Sequence, residues 1–262
     1  MRADKFFAEK FGSRTKSAEA IEKGWVLVNG KIIRPKDEVC DTDEVTFVEP
    51  SSRFVSNGGY KLERAVKTFS VDCQGKVFVD IGASTGGFTD CLLQNGAKRV
   101  YAVDVGESLL HESLCGRKEI VVMENTNARY LTQNDFPEDV DGVVTDVSFI
   151  SLRLILPVIS TILSQNGEAF VLVKPQFECE NKHIGKSGIV HTSAHVEIVK
   201  KVLGYARENA LFPCDIVPAP IRKGKNVEYV LWLKKGVLNT TNEREILEKV
   251  KYFVKESTVA KQ

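Results

Sequence analysis

A chain of 262 residues with 43% hydrophobic and 27% charged side chains can hold one large domain, or a medium domain with a small appendage, and has the balance of an ordinary globular protein. The net charge of +1 conceals an uneven start: residues 1–36 carry nine Lys/Arg against four Asp/Glu, and residues 37–50 carry six acids and no base. The longest uncharged stretch of the later sheet region, Leu154 to Gly167, has 14 residues broken by Pro157, Ser160, Ser164 and Gln165, short of the ~20 apolar residues of a membrane span. A bilayer-crossing protein is therefore not expected.

In chain order, Ala3–Phe11 and Lys16–Lys23 read as helices, each followed by a glycine (Gly12, Gly24) where a helix stops, with Ser13 as a cap for the second. Strands Trp25–Val28 and Lys31–Ile33 flank Asn29-Gly30, a two-residue hairpin signal, because both positions tolerate positive φ. Thr46–Val48 supplies a third strand. Arg14 and Lys16 on the helices, with Lys31 and Arg34 on the hairpin, would give this small α+β unit (1–49) a basic face suited to a polyanion. A merely solvated charged surface is the plainer alternative. Residues 50–58 read as a linker.

From residue 59 to 238 helices and strands alternate. Helices are expected at about 60–69, 87–95, 107–115, 148–164 and 192–209, and strands at about 77–81, 99–104, 119–123, 141–146, 168–174, 214–218 and 227–233. That rhythm specifies an α/β fold, a Rossmann-like, doubly wound, mainly parallel sheet whose ligand lies beyond the carboxyl ends of the strands. Ile246, Val250 and Phe253 recur at helical spacing in the tail, 239–262, as a packing helix.

The ligand is read from Asp80-Ile-Gly-Ala-Ser-Thr-Gly-Gly-Phe-Thr89, which follows the apolar Val77-Phe78-Val79 and precedes a helix. Strand, glycine turn and helix N-terminus aim backbone N–H groups at one place. The segment lacks Gly-x4-Gly-Lys-Ser/Thr, and Ser84 stands where a dinucleotide fingerprint has its second glycine. Asp80 would repel pyrophosphate but suit a cation. S-adenosylmethionine, with a sulfonium, an ammonium and no phosphate, fits, and Asp80, Gly82, Ala83, Ser84, Thr85, Gly86, Gly87 and Phe88 become donor-site candidates. Asp104, 22 residues after Gly82, ends a strand where an acid can accept from both ribose hydroxyls; capping a following helix is the alternative. Asn127 sits where an adenine contact would fall, or is an ordinary turn asparagine.

Asp146 and Lys174 each end an apolar strand, Lys61 starts the first helix of the larger domain, and Glu228 precedes the strand Tyr229–Leu233. Six cysteines (40, 73, 91, 115, 179 and 214) contain no Cys-x-x-Cys pair, and no secretory signal is evident, so a reducing cytoplasm is expected. His191 and His195 are one helical turn apart but lack a nearby third ligand, so no metal is expected. Glu178–Val190, with two glycines, reads as a loop over the substrate or a flexible connection.

The N-terminal pattern, Ser13-Arg-x-Lys-Ser-x4-Ile with Gly24-x-Val-x-Val-Asn-Gly, resembles the α-L RNA-binding motif of a small-subunit ribosomal protein. Lys61 in Gly-Gly-Tyr-Lys-Leu, Asp146 in Thr-Asp-Val-Ser-Phe-Ile-Ser-Leu, Lys174 in Val-Lys-Pro-Gln-Phe-Glu and Glu228 in Asn-Val-Glu-Tyr resemble, in type and order, the Lys-Asp-Lys-Glu tetrad of FtsJ-like RNA ribose 2′-O-methyltransferases. Over about residues 2–234 the chain is similar to the TlyA family, whose members are rRNA cytidine 2′-O-methyltransferases that also carry the name hemolysin A. The resemblance implies a class I methyltransferase domain, S-adenosylmethionine, ribosomal RNA or ribosomal subunits as partner, and Lys174 as the base. A lysine serves as base only if its pKa falls from ~10.4 toward ~7–8, and Lys61 would be the cationic neighbour that lowers it, with Asp146 and Glu228 orienting both. Asn57 replaces the arginine this family usually has before the Gly-Gly pair, and Lys225 stands where a glycine is common. Two other functions stay open, a membrane-lytic protein and an RNA-binding regulator with a non-catalytic donor site.

Overall fold

In the computed structural model, residues 1–22, 24–47, 53–221, 224–236 and 243–259 are described. They fall into two compact units, Met1–Arg53 and Phe54–Gln262. The expected positions Lys23, Val48 and linker residues 50–52 lie outside the described residues.

The first unit holds α1 (Ala3–Phe6), α2 (Arg14–Glu22), β1 (Val26–Val28), β2 (Lys31–Ile32) and β3 (Val45–Phe47), with the sheet ordered β2-β1-β3. The helix expected over Ala3–Phe11 stops after Phe6. Beyond it the amides of Ala8 and Gly12 bond three residues back, to Lys5 and Glu9, and Gly12 turns at φ +75°. Mixed spacing of that kind makes successive turns rather than an α ladder. Ser13 caps α2 as expected, its Oγ accepting the Lys16 N–H at 3.2 Å. Asn29 (φ +51°) and Gly30 (φ +73°) make the hairpin turn, and Asn29 ties it to Asp43 and Glu44. Ala3, Phe7, Ile21, Val26, Val28 and Val39 form the core of this unit.

The second unit runs α3 (Asn57–Phe69), β4 (Val77–Ile81), α4 (Gly87–Gln94), β5 (Arg99–Val103), β6 (Ile120–Met123), β7 (Val140–Thr145), α5 (Leu156–Ile162), β8 (Leu163–Val173), α6 (Pro175–Glu178), α7 (His195–Glu208), β9 (Leu211–Pro218), β10 (Tyr229–Lys235) and α8 (Glu243–Val259). The sheet order is β6-β5-β4-β7-β8-β10-β9, parallel except that β10 lies antiparallel between β8 and β9. From β4 the chain winds outward to β6 and returns to β7 on β4's other side, so β4 and β7 flank the topological switch point. Ile246 and Val250 of α8 are fully buried in the main core, so the tail helix packs on this unit.

Register sets the site. Ile81 pairs with Val103 and with Thr145, and Tyr229 of β10 pairs with Val173 of β8. Hence the residues one step beyond these pairs, Gly82, Asp104, Asp146, Lys174 and Glu228, emerge along one edge of the sheet.

One expected helix is absent and another is much shortened. Residues 107–115 contain only a 3-10 turn, Glu112–Leu114. The amides of Ser108 and Leu109 donate instead to the Glu124 carboxylate at 2.7 and 3.0 Å, and Ser108 sits at φ +52°. Within 148–164 a helix forms only at Leu156–Ile162, preceded by a 3-10 turn at Leu152–Leu154. β8 begins at once with Leu163, which pairs with Val140 and gives its carbonyl to Lys235.

Candidate active site

The donor side is built around the turn between β4 and α4. Gly82 (φ +82°), Ser84 (φ +48°) and Gly86 (φ +86°) carry the chain around, and a Cβ at Gly86 would lie 2.5 Å from the Leu114 side chain. Glycine at 86 is favoured by its left-handed conformation, and a side chain there would also have to displace the tips of Leu110 and Leu114. Asp80 is fully buried. Its Oδ2 accepts the N–H of Thr89 at 2.9 Å and the Thr89 hydroxyl at 2.7 Å, clamping the first turn of α4, while Oδ1 has no partner. Burial, outweighing the two Thr89 hydrogen bonds, pushes its pKa from 3.8 up to about 7. Asp104 accepts the N–H of Ser84 at 2.8 Å and that of Gly106 at 2.9 Å, so it closes the turn rather than capping a helix.

Two cavities share this turn. The larger, about 650 Å³, is lined by Gly82, Ser84, Asp104, Asn127 and Asp146 among apolar Ile81, Val103, Val147 and Ile150. The smaller, about 190 Å³, reaches Asp80, Ala83, Thr85, Gly87 and Phe88, and also touches Ser148 and Lys174. Gly86 lines neither and serves the turn alone. Asn127 lines the larger crevice, but its Oδ1 accepts from the Arg129 N–H and Nε at 3.1 and 3.3 Å, which favours its turn role. An apolar crevice with a carboxylate at its edge suits an adenosine. The unpartnered Asp80 Oδ1 suits an ammonium, so the residues present fit S-adenosylmethionine.

The acceptor side is a chain of charges. Lys61 Nζ lies 3.1 Å from Asp146 Oδ2 and 2.8 Å from Glu228 Oε2, and Lys174 Nζ lies 2.5 Å from Asp146 Oδ1 and donates to Ser148 Oγ at 2.8 Å. The Lys174–Asp146 contact is an ion pair off hydrogen-bond alignment, since Asp146 Oδ1 has no hydrogen-bond partner. Burial opposes charge on Lys61, but Asp146 and Glu228 together prevail and raise its pKa. Lys61 is therefore held as an ammonium. Lys61 and Glu228 also line a third cavity of about 370 Å³ with Gln176, Gly188 and Asn226. The segment after Glu178 is folded over there: Ile184 bridges Val190, whose N–H donates to Asn226.

Ser148 lies in Thr145–Leu152, and Gln176 and Glu178 lie in Val173–Glu178, yet nothing in their spacing marks them. Gln176 donates to Glu228 at 3.4 Å. Phe149 is 91% exposed at φ +62°, its ring 5.1 Å from that of Phe177. His195 is buried with its Nδ1 2.7 Å from the Tyr229 hydroxyl. Among the described residues no group of three or more His, Cys, Asp or Glu could hold a metal ion, and no helix is long and apolar enough to cross a membrane. In the first unit Arg14, Lys16, Lys31 and Arg34 are exposed, and Arg14 pairs with the buried Asp4 at 3.0 Å.

The sheet order, the glycine turn at its switch point and the crevice beside it define an S-adenosylmethionine-dependent methyltransferase domain. The family model "FtsJ-like methyltransferase" matches residues 54–235, and "S4 domain" matches residues 1–45. The chain is 43% identical to "Putative rRNA methyltransferase YqxC" of Bacillus subtilis (strain 168) over 84% of this chain and 80% of that protein. It is 40% identical to "16S/23S rRNA (cytidine-2'-O)-methyltransferase TlyA" of Mycobacterium tuberculosis (strain ATCC 25618 / H37Rv) over 85% of this chain and 84% of that one. A solved structure, "Putative hemolysin from Streptococcus thermophilus", has a TM-score of 0.76 and 35% identity, covering 99% of this chain and 98% of that chain. The chain belongs to the TlyA family of FtsJ-like methyltransferases.

Proposed function

We propose that this protein methylates a ribose 2′-hydroxyl, that of a cytidine, in ribosomal RNA, using S-adenosylmethionine. The observation that carries the reading is the linked quartet Lys61, Asp146, Lys174 and Glu228, standing between the donor crevice and the third cavity.

S-adenosylmethionine, when bound, supplies a methyl group made electrophilic by its sulfonium. Asp104 would accept from the ribose hydroxyls of the donor, Asp80 would face its ammonium, and Gly82–Phe88 would supply backbone N–H groups. Lys61, bracketed by two carboxylates, is the fixed cation. Lys174, with one carboxylate and the Ser148 hydroxyl, is the base. With the donor bound, the acceptor O–H bond would break and its proton pass to Lys174 Nζ as the oxygen takes the methyl group. The sulfur–methyl bond would break with its electron pair left on sulfur, which ends as a neutral thioether, and Asp146 would stabilise the ammonium formed at Lys174. Holding the nucleophile in line supplies much of the acceleration.

Residues 1–49 form the RNA-binding part in this reading. The methyltransferase domain, expected from 59, already includes Phe54 and the start of α3 at Asn57, which shortens the expected linker, and Glu243–Val259 is its C-terminal helix. Arg14, Lys16, Lys31 and Arg34 contact phosphates, which makes affinity salt-dependent. The protein acts in the cytoplasm on ribosomal subunits. Labelled donor is incubated with such subunits and the protein, and methylated riboses are mapped. Transfer to a cytidine 2′-oxygen is expected. Donor binding without transfer to any ribosomal RNA would overturn the reading.

A further inference from the structure

Glu178 is a carboxylate for which the reaction above has no use, and it is 4% exposed. Its Oε1 accepts the Leu152 N–H at 2.7 Å and its Oε2 accepts the Ser151 hydroxyl at 2.7 Å. Burial raises its pKa, opposed by those two hydrogen bonds and by Lys201 of α7, whose Nζ donates to the Glu178 carbonyl at 3.2 Å. A carboxylate at this depth costs stability that an apolar side chain would not.

Its contacts have a geometric consequence. Ser151 and Leu152 end the loop that begins at Asp146 and carries Ser148. Glu178 ends α6, the short helix that begins directly after Lys174. The two segments thus meet twice: at one end Lys174 touches Asp146 and Ser148, and at the other Glu178 grips Ser151 and Leu152. Neither the loop nor the four-residue helix is long enough to hold its own course, so the far contact limits how the near one can vary.

We propose that Glu178 is a positioning residue for methyl transfer: by stapling the Asp146–Leu152 loop to the helix after Lys174, it sets the placement of Asp146 and Ser148 against Lys174 Nζ. The proposal rests on the reading of Lys174 as the base. The groups facing Lys174 are Asp146 and Ser148 from the loop and the Phe177 ring at 5.8 Å from α6, with Lys61 one contact further on and Glu228 beyond it.

The test is single-turnover methyl transfer to ribosomal subunits, at saturating donor and RNA, by the 262-residue chain and its variants. Glu178→Ala is expected to slow transfer roughly 100-fold, the scale of a 1 Å misplacement. Donor affinity, read by calorimetry, is expected to stay within a few-fold, because Glu178 lines neither cavity of the donor side. Glu178→Gln, whose amide oxygen accepts from Leu152 and whose amide NH2 donates to Ser151 Oγ, is expected to restore the rate. Ser151→Ala removes one contact and is expected to slow transfer by less, with donor affinity kept, which keeps the test decisive if Glu178→Ala does not fold. A rate loss matched by an equal loss of donor affinity in Glu178→Ala or Ser151→Ala, a wild-type rate in Glu178→Ala, or an equal deficit in Glu178→Gln would overturn the proposal. Lys174→Ala is run beside them: if it keeps activity, the base assignment fails. If it is inactive while Glu178→Ala keeps the wild-type rate, only the role of Glu178 falls.

Discussion

On the donor side of the crevice, polar groups are fixed by backbone: Asp80 by the Thr89 amide and hydroxyl, Asp104 by the amides of Ser84 and Gly106. On the acceptor side, side chains are fixed by one another, in the run Glu228–Lys61–Asp146–Lys174. β4 and β7 are adjacent parallel strands and each brings an aspartate to the site, yet the two carboxylates differ. Asp80 has no ion pair among the described residues and burial pushes it toward neutrality, whereas Asp146 stands between the Lys61 and Lys174 side-chain nitrogens. The donor side should therefore lose function gradually when one group is changed. The acceptor side should lose it abruptly, because removing one charge leaves a partly buried neighbour uncompensated.

The largest effect expected is from Lys174→Ala. It removes the proposed base, and single-turnover transfer should fall roughly 10³-fold, within the range for general-base catalysis. Calorimetry should meanwhile find donor affinity changed only a few-fold. A tenfold or smaller loss of rate would make the two sides alike and break the comparison.

Asp80→Asn should be smaller and should show its effect through pH. With a pKa of about 7 in the folded protein against 3.8, Asp80 takes up a proton on folding between those values. Its contribution to stability is therefore fully present below about pH 4, declines as pH rises toward 7 and is lost above it. An ammonium ligand favours the ionised carboxylate, so donor affinity should rise with pH through the same region. Asp80→Asn should flatten both trends and bind donor roughly tenfold more weakly at pH 8, the scale of one charge-assisted hydrogen bond. Thermal melts and calorimetry at pH 6, 7 and 8 check this, and an affinity in Asp80→Asn that still climbs with pH would refute it.

The same contrast explains what could be read from the sequence. The donor turn was legible because its constraints are local: Gly82 and Gly86 are needed where φ is positive, and the apolar run before them is a strand. Register carried Asp104, Asp146, Lys174 and Glu228 to one edge. The strand-end rule anticipated the first three, whereas Glu228 starts its strand and reaches that edge because β10 runs antiparallel to β8. The assignments that missed depended on distant partners. Residues 107–115 are drawn out of a helix by Glu124, and Leu163 joins a strand because Val140 lies beside it. The apolar run Leu154–Leu163 has no periodicity that separates a short helix from a buried strand. Glu178 was illegible for the same reason, since its partners Ser151 and Leu152 are brought to it only by the fold.

The smallest effect expected lies in the first unit, where exposed charges separate two kinds of basic residue. Lys31 and Lys16 are exposed, whereas Arg14 shares the buried Asp4 with Arg2, which, ahead of Arg14, lowers the Asp4 pKa. Lys31→Ala should thus weaken RNA binding only a few-fold and leave the melting temperature unchanged. The slope of log affinity against log salt should flatten by about 0.7–0.9, as for one lost phosphate contact. Arg14→Ala should show a similar change in slope together with a lower melting temperature, because Asp4 then keeps a single cation. Filter binding to ribosomal RNA at four salt concentrations, with melts of the same variants, distinguishes the two. An unchanged salt slope in both would mean that these charges are only solvated and that RNA is held elsewhere.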